Sequence, residues 1–309
     1  MHTSANQNSN RNGCSYLLKN IWQNKSSYIF MAPFLIIFFT FTILPVGTAI
    51  YYSFTQFNVL ETPVFIGLQN YRKLFLNDPI FITAVKNTFL LAGITGPVSY
   101  FLCLFFAWFV NELGPKSRSV LTLIFYSPSM VSITFVWQLI FSGDSNGILN
   151  AWLTKLVIIN SPIQWLKDTS YILPVVIIVI LWSSLGTSFL TFIAGFQTVD
   201  TTLYEAGAID GVKNRWQELW YITLPSMAPQ MMFGAVMSIS GSFGIGAAIT
   251  GLVGYPSTNY VVHTIMHHLE DYGSTRFEMG YACAIATILF IVMISMNKIV
   301  RNLISKVGK

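Results

Sequence analysis

Six apolar runs, each long enough to cross a lipid bilayer as a helix, constrain this chain more than any other feature. They cover roughly Tyr28 to Tyr52, Asn87 to Val110, Ser119 to Phe141, Tyr171 to Ala194, Met227 to Thr250 and Met279 to Ile299. A hydrocarbon core takes about 20 residues of helix. The runs are continuously apolar rather than alternating, so they read as helices that satisfy their own backbone hydrogen bonds in lipid, not as barrel strands. The predicted fold is an all-α integral membrane protein with six transmembrane helices. The composition agrees: 53% of the 309 residues are hydrophobic and 9% charged, against about 25% charged in soluble domains.

Flanking charge predicts the orientation, because short loops rich in Lys and Arg stay in the cytoplasm. The tail (Arg11, Lys19, Lys25), the second connection (Lys116, Arg118) and the C-terminal end (Lys298, Arg301, Lys306, Lys309) are expected inside, giving N-in and C-in. The opposite loops carry Arg72, Lys73, Lys86, Lys155, Lys167 and Arg276, largely offset by Glu61, Asp78, Asp144, Asp168, Glu270 and Asp271. The expected organisation is a cytoplasmic tail (1–27), a transmembrane domain (28–300) and a short cytoplasmic tail (301–309). A polar stretch at 200–226 then faces the cytoplasm. The formal charge of +5 is scattered at the ends of the runs, which argues against nucleic-acid binding. Cys14, Cys103 and Cys283 are odd in number and widely spaced, fitting packing rather than a disulfide framework or metal knuckle.

The runs hold no Asp, Glu or Arg, and their single Lys is Lys298, at the end of the last one. A proton-coupled carrier normally keeps a titratable group within the membrane. A stand-alone secondary transporter of small polar solutes, coupled to sodium through carbonyls at interrupted helices, stays open as the alternative. Its candidate interruptions are Pro45, Gly96, Pro97 and Pro128, which as simple kinks need no function. A di-iron enzyme is a third reading, since His263 and His267 in "HTIMHHLED" share a helical face with His268 beside them. Such a site needs several histidine boxes, and the remaining histidine is His2. The segment is better read as an interfacial helix with its polar residues towards water, and no metal is expected. No G-x-x-x-x-G-K-[ST] phosphate loop is present, so energy for uphill transport comes from a partner.

The polar stretch reads "TTLYEAGAIDGVKNRWQELWYITLPSMAP". Thr202 and Glu205 have the spacing of a capping box, with Asp200 placing negative charge at the helix start. The helix is expected to run to about Asp210 and stop at Gly211. Ala206, Gly207 and Ala208 form a narrow ridge suited to a groove on another protein, Trp216, Leu219 and Trp220 follow at helical spacing, and Pro225 marks the return to the membrane. An interfacial helix anchored by its tryptophans explains the stretch equally well on physical grounds.

The stretch closely resembles the EAA loop of binding-protein-dependent ABC importer permeases, E-A-A-x-x-x-G followed by I-x-L-P, with Glu205, Ala206, Gly211, Ile222, Leu224 and Pro225 in register and Gly207 where that family usually has Ala. "MAPFLIIFFTFTILPVGTAIYYSFTQFN", "FIGLQNYRKLF", "NGILNAWL" and "FEMGYACAIATILF" look like segments of the first permease subunit of the carbohydrate branch, the maltose-permease F type. The region after the fifth run lacks that branch's usual Gly-Gly-Pro turn.

The resemblance implies a type I importer permease in a bacterial cytoplasmic membrane, non-catalytic itself. It implies a different G-type permease as partner, two ABC ATPases that bind ATP and Mg, and an extracytoplasmic binding protein that delivers a sugar. It assigns ATPase coupling to Glu205, Ala206, Gly207, Asp210, Gly211, Trp216 and Pro225, with Trp220 steadying the loop against the membrane. A sugar pocket needs placed hydroxyl partners and aromatic faces. Ser184, Thr187 and Ser188 share one side of the fourth run beside Trp182, and Ser238 and Ser242 one side of the fifth. Each of these is alternatively a packing or self-bonding hydroxyl.

Overall fold

The computed structural model describes residues 24–130 and 134–304. Arg11, Cys14, Lys19, His2, Lys306 and Lys309, on which sequence readings rest, lie outside the described residues. The described chain divides into two compact units, one ending at Tyr52 and one beginning at Ser53, each taken by itself.

The first unit is α1, Lys25–Tyr52, 28 residues. At about 1.5 Å per residue it reaches about 42 Å, enough to span a bilayer. One wide π turn, Phe39–Ile43, interrupts it, with the Leu44 N–H bonded five residues back to the Phe39 carbonyl. Pro45 follows at once. A proline removes a helical donor and crowds the carbonyl four residues before it, and the wide turn relieves that crowding. The same device recurs in the second unit: the π turn Leu219–Thr223 precedes Pro225, with the Leu224 N–H bonded to the Leu219 carbonyl.

The second unit opens on a two-stranded antiparallel hairpin, β1 (Thr55–Gln56) against β2 (Val64–Phe65), a small exception to the all-α expectation. It then runs through α2 (Pro79–Asn111), α3 (Pro115–Met130), α4 (Thr134–Ile140), α5 (Ile148–Lys155), α6 (Thr169–Ser183), α7 (Thr187–Thr198), α8 (Thr201–Ile209), α9 (Arg215–Ser226), α10 (Ala228–Phe243), α11 (Gly246–Val253), α12 (Ile265–Glu270) and α13 (Met279–Ile304). α1, α2 and α13 are each long and apolar enough to cross a membrane, and the total reaches six if α3 with α4, α6 with α7, and α9 with α10 each make one broken span.

The predicted runs therefore hold as apolar helical regions, while several boundaries and their continuity are corrected. α2 starts at Pro79 rather than near Asn87, because Asp78 caps it by accepting from the Phe81 N–H (2.9 Å). The fourth run is two helices bent by 41°. Next to that break Ser183 and Ser184 donate to the Val179 and Leu181 carbonyls, a bonding mode that bends helices. The fifth run is not one helix to Thr250: α10 ends at Phe243 and α11 begins at Gly246.

Close crossings hold the second unit together. At Gly234 an added Cβ would sit 2.5 Å from the Phe192 Cζ, and at Gly195 one would sit 2.8 Å from the Met227 Cε, so α7 and α10 meet backbone to side chain. Around that crossing Cys103, Phe189, Phe192, Phe196, Leu219, Leu224 and Met231 form one buried cluster. A second joins Leu74, Phe81, Ala84, Ile265 and Ile285, and a third Leu91, Val176, Val179 and Ile249. At Gly280 a Cβ would collide with the Thr55 carbonyl oxygen, which explains why the hairpin lies directly on the start of α13.

Candidate functional site

Polar side chains of α2, α7 and α10, with Ser183 at the end of α6, converge on a cavity of about 390 Å³. Ligand cavities commonly measure about 300–1,000 Å³. α2 contributes Thr95 and Ser99; α6 contributes Ile180 and Ser183, with Ser184 just beyond its end; α7 contributes Thr187 and Ser188; α10 contributes Met237, Ser238, Ser240 and Ser242. Ser188 and Ser242 are buried, and Ser188 bridges the two helices through the Gly234 carbonyl (3.1 Å) and the Ser238 hydroxyl (3.2 Å).

Five of the predicted substrate residues, Ser184, Thr187, Ser188, Ser238 and Ser242, thus meet in one cavity. Two details differ from expectation. Ser184, Thr187 and Ser188 do not share one face of a continuous helix; they flank the break between α6 and α7. Trp182 is not in the lining and packs edge-on against Trp137 instead (5.3 Å between ring centres), and among the described residues no lining side chain is aromatic. Thr95, Ser99, Ser183 and Ser240 were overlooked; the four-residue spacing of Thr95 and Ser99 was the available signal.

The loop between α7 and α10 forms a second arrangement. α8 starts at Thr201, and its cap is Asp200, whose carboxylate accepts from the Thr202 N–H (3.0 Å). This corrects the expected Thr202–Glu205 capping box: both residues are exposed, and the acid two residues before Thr202 takes the free donor. The hydrogen bonds also hold the Asp200 carboxyl below the usual range. The other end stops as predicted at Gly211, with φ +94°. There Val212 N–H bonds to the Gly207 carbonyl (2.9 Å) and Gly211 N–H to that of Ala208 (3.4 Å), a Schellman ending.

α8 does not present a continuous ridge of small residues. Gly207 is buried and faces inward, where an added Cβ would lie 2.5 Å from the Ile222 Cδ1. The outward face holds Glu205, Ala206, Ala208 and Asp210 together with Ile209, which is 87% exposed and escaped the sequence reading. Tyr204 joins α8 to α9 through Thr223. Trp216 is 61% exposed and lies against Trp108 of α2 (4.9 Å between ring centres), while Trp220 is 64% exposed. Arg215 bonds Glu218 (2.7 Å) and reaches Glu112 at the end of α2 (3.6 Å). Pro225 sits near the end of α9, beyond its π turn.

The histidine segment is not polar towards water. His263, His267 and His268 are each under 4% exposed. His268 Nε2 lies 3.0 Å from Asp78 Oδ2, which also accepts from the Tyr281 hydroxyl (2.8 Å). His263 Nε2 lies 3.4 Å from His268 Nδ1. His267 Nδ1 accepts from the Thr264 N–H (3.0 Å), so that Thr264 and His267, not a bare turn, start α12. Because His267 Nδ1 accepts, that ring carries its proton on Nε2 alone and is neutral. Burial pushes the His263 pKa down to about 4, helped by the neighbouring His267 and His268, and burial lowers His267 and His268 as well. Among the described residues no group of three such side chains is placed to hold a metal ion.

Comparison with known proteins places this architecture. The chain is 31% identical over 279 residues to the probable ABC transporter permease protein YesP of Bacillus subtilis, covering 87% of each protein. It is 30% identical over 275 residues to the arabinooligosaccharides transport system permease protein AraP of the same species, covering 88% of this chain and 86% of that one. Among solved structures, a chain of a bacterial ABC transporter involved in the import of the acidic polysaccharide alginate superposes with a TM-score of 0.75 at 23% identity, covering 95% of this chain and 100% of that one, a likeness of fold. Residues 100–309, which include the loop between α7 and α10 and most of the cavity, match the family described as binding-protein-dependent transport system inner membrane component, and the chain belongs to that family of ABC importer permeases.

Proposed function

We propose that this chain is one permease subunit of an ATP-driven importer that moves a sugar or oligosaccharide delivered by an extracytoplasmic binding protein. The observation that carries this reading is α8, a short helix capped at both ends that turns Glu205, Ala206, Ile209 and Asp210 outward and is tied inward through Gly207 and Tyr204. An isolated helix of nine residues is marginal in water. Its caps and its packing on Ile222 make it a firm lever, suited to docking on a partner ATPase through its outer face.

The reading extends to the rest of the assembly. A second, G-type permease completes the path, two ATPase subunits bind ATP and Mg, and this chain hydrolyses nothing. Glu205, Ala206, Asp210 and Gly211 form the docking end, Gly207 and Pro225 set the close approach and return of the loop, and Trp216 braces it against Trp108. Ser184, Thr187, Ser188, Ser238 and Ser242 line the solute path, with Trp182 outside it. The membrane is the bacterial cytoplasmic membrane with both termini inside, as the basic flanks predict. In operation, ATP-driven closure of the ATPases shifts α8, and the shift passes through α9 into α10 as alternation between two packings.

The relatives named for oligosaccharide transport support a sugar as cargo, as does a cavity walled with hydroxyls. Purification of the tagged chain from native membranes in mild detergent, with mass spectrometry of what accompanies it, tests the reading. A second permease and a phosphate-loop ATPase are expected, with ATP hydrolysis stimulated by sugar-loaded binding protein. A chain that purifies alone and still transports after reconstitution overturns it.

A further inference from the structure

The cavity walls carry a preference of charge as well as of polarity. Resting on the importer reading above, we infer that this chain's wall of the path accepts uncharged polyhydroxy solutes and rejects acidic sugars, uronates and sugar phosphates alike. Among the described residues, none that lines the cavity is ionisable. Six of the nine hydroxyl protons on the wall are also already committed, those of Thr187, Ser238 and Ser240 being the others. Thr95 and Ser99 donate to the Leu91 and Gly96 carbonyls (2.8 and 3.0 Å), Ser183 and Ser184 to Val179 and Leu181 (2.9 and 2.6 Å), and Ser242 to Ile239 (2.8 Å). Ser188 donates across to Gly234.

What these groups still offer is oxygen lone pairs, since a hydroxyl carries one donor and two acceptor positions. A wall of acceptors pairs with a ligand rich in O–H donors, which a neutral sugar is. A carboxylate or phosphate brings acceptors and a charge that finds no cation and few free donors, so its desolvation goes uncompensated. Helix ends do not reverse this. The positive start of α7 at Thr187 faces the negative end of α6, and the start of α11 at Gly246 follows the end of α10 at Phe243, so the dipoles offset in pairs.

The test uses the purified transporter with its own partner subunits in detergent, without the binding protein, so that the path alone is read. Saturation-transfer NMR is recorded with arabinotriose, xylotriose and maltotriose, and with trigalacturonate and trimannuronate. At least one neutral trisaccharide is expected to receive saturation, with every uronate at least tenfold weaker. Thr187→Lys, which puts an ammonium on the exposed edge of the cavity, is expected to raise the uronate signal. Uronate signals equal to or above the neutral ones in the unaltered transporter overturn the charge preference and leave the sugar reading standing. An unchanged uronate signal in Thr187→Lys overturns the role of this wall. No transfer to any sugar overturns both.

Discussion

The Tyr204 hydroxyl lies 2.9 Å from Thr223 Oγ1, and it is the hydrogen bond that fastens α8 to the π turn of α9. Thr223 in turn donates to the Glu218 carbonyl (3.1 Å), so Tyr204 is the donor of the pair. A net hydrogen bond is worth about 1 kcal/mol, too little to decide folding and enough to loosen a lever. Tyr204→Phe is expected to insert and assemble normally while the ratio of solute-stimulated to basal ATP hydrolysis falls several-fold. An unchanged ratio would show that motion reaches α10 by another route, such as the Gly207–Ile222 contact.

At the other end of α8, Gly211 holds φ +94°, a conformation that costs a side-chain-bearing residue about 1–2 kcal/mol. Gly211→Asp also adds a negative charge at the negative end of the helix, beside Asp210. The variant is expected in the membrane at ordinary levels but without ATPase association or uptake, read by co-purification and labelled-solute transport. Normal uptake would remove the docking role from this turn.

Much of this was legible in the sequence, and the rest was hidden for identifiable reasons. Apolar runs locate helices because lipid leaves the backbone no other partner. Hydropathy is blind to where a helix breaks, and the break at 184–186 falls inside an apolar run, where Gly186 leaves helical geometry and Ser184 bonds the Leu181 carbonyl. Two good caps stood two residues apart, and only geometry chose Asp200 over Thr202. The histidines misled most: their spacing suits an amphipathic surface helix, but Asp78, which pairs with His268, lies 190 residues before it, and Tyr281, which bonds Asp78, lies near the start of α13. Gly207 lets Ile222 approach α8 closely, a contact between two loop residues that no spacing in the sequence announces.

The buried histidines give stability a pH dependence whose sign is fixed by their lowered pKa values. In the unfolded chain they take up protons near pH 6.5, whereas His263 in the fold does so only near pH 4. The unfolded state therefore binds more protons between those values, and stability falls as pH drops from about 6.5 towards 4. Melting in detergent should shift downward over that window and stay level above it. His263→Gln is expected to flatten the slope, and an equally steep slope in that variant would place the titration elsewhere.

The crossing of α7 and α10 sets the width of the cavity, and Gly234 is its pivot. A methyl added there meets the ring of Phe192, which is fully buried and held edge-on by Tyr100 at 5.3 Å, so the ring has no free direction to move. Overpacking of this kind costs about 1–3 kcal/mol. The helices separate to relieve it, and Ser188 loses its bond to the Gly234 carbonyl. Gly234→Ala is expected to lower the melting temperature in detergent and to reduce uptake. Gly93→Ala on α2, where an added Cβ meets nothing within 4 Å, is the control and should melt at or above the unaltered protein. Equal melting temperatures for Gly234→Ala and Gly93→Ala would show that the α7–α10 crossing has slack the structure does not contain.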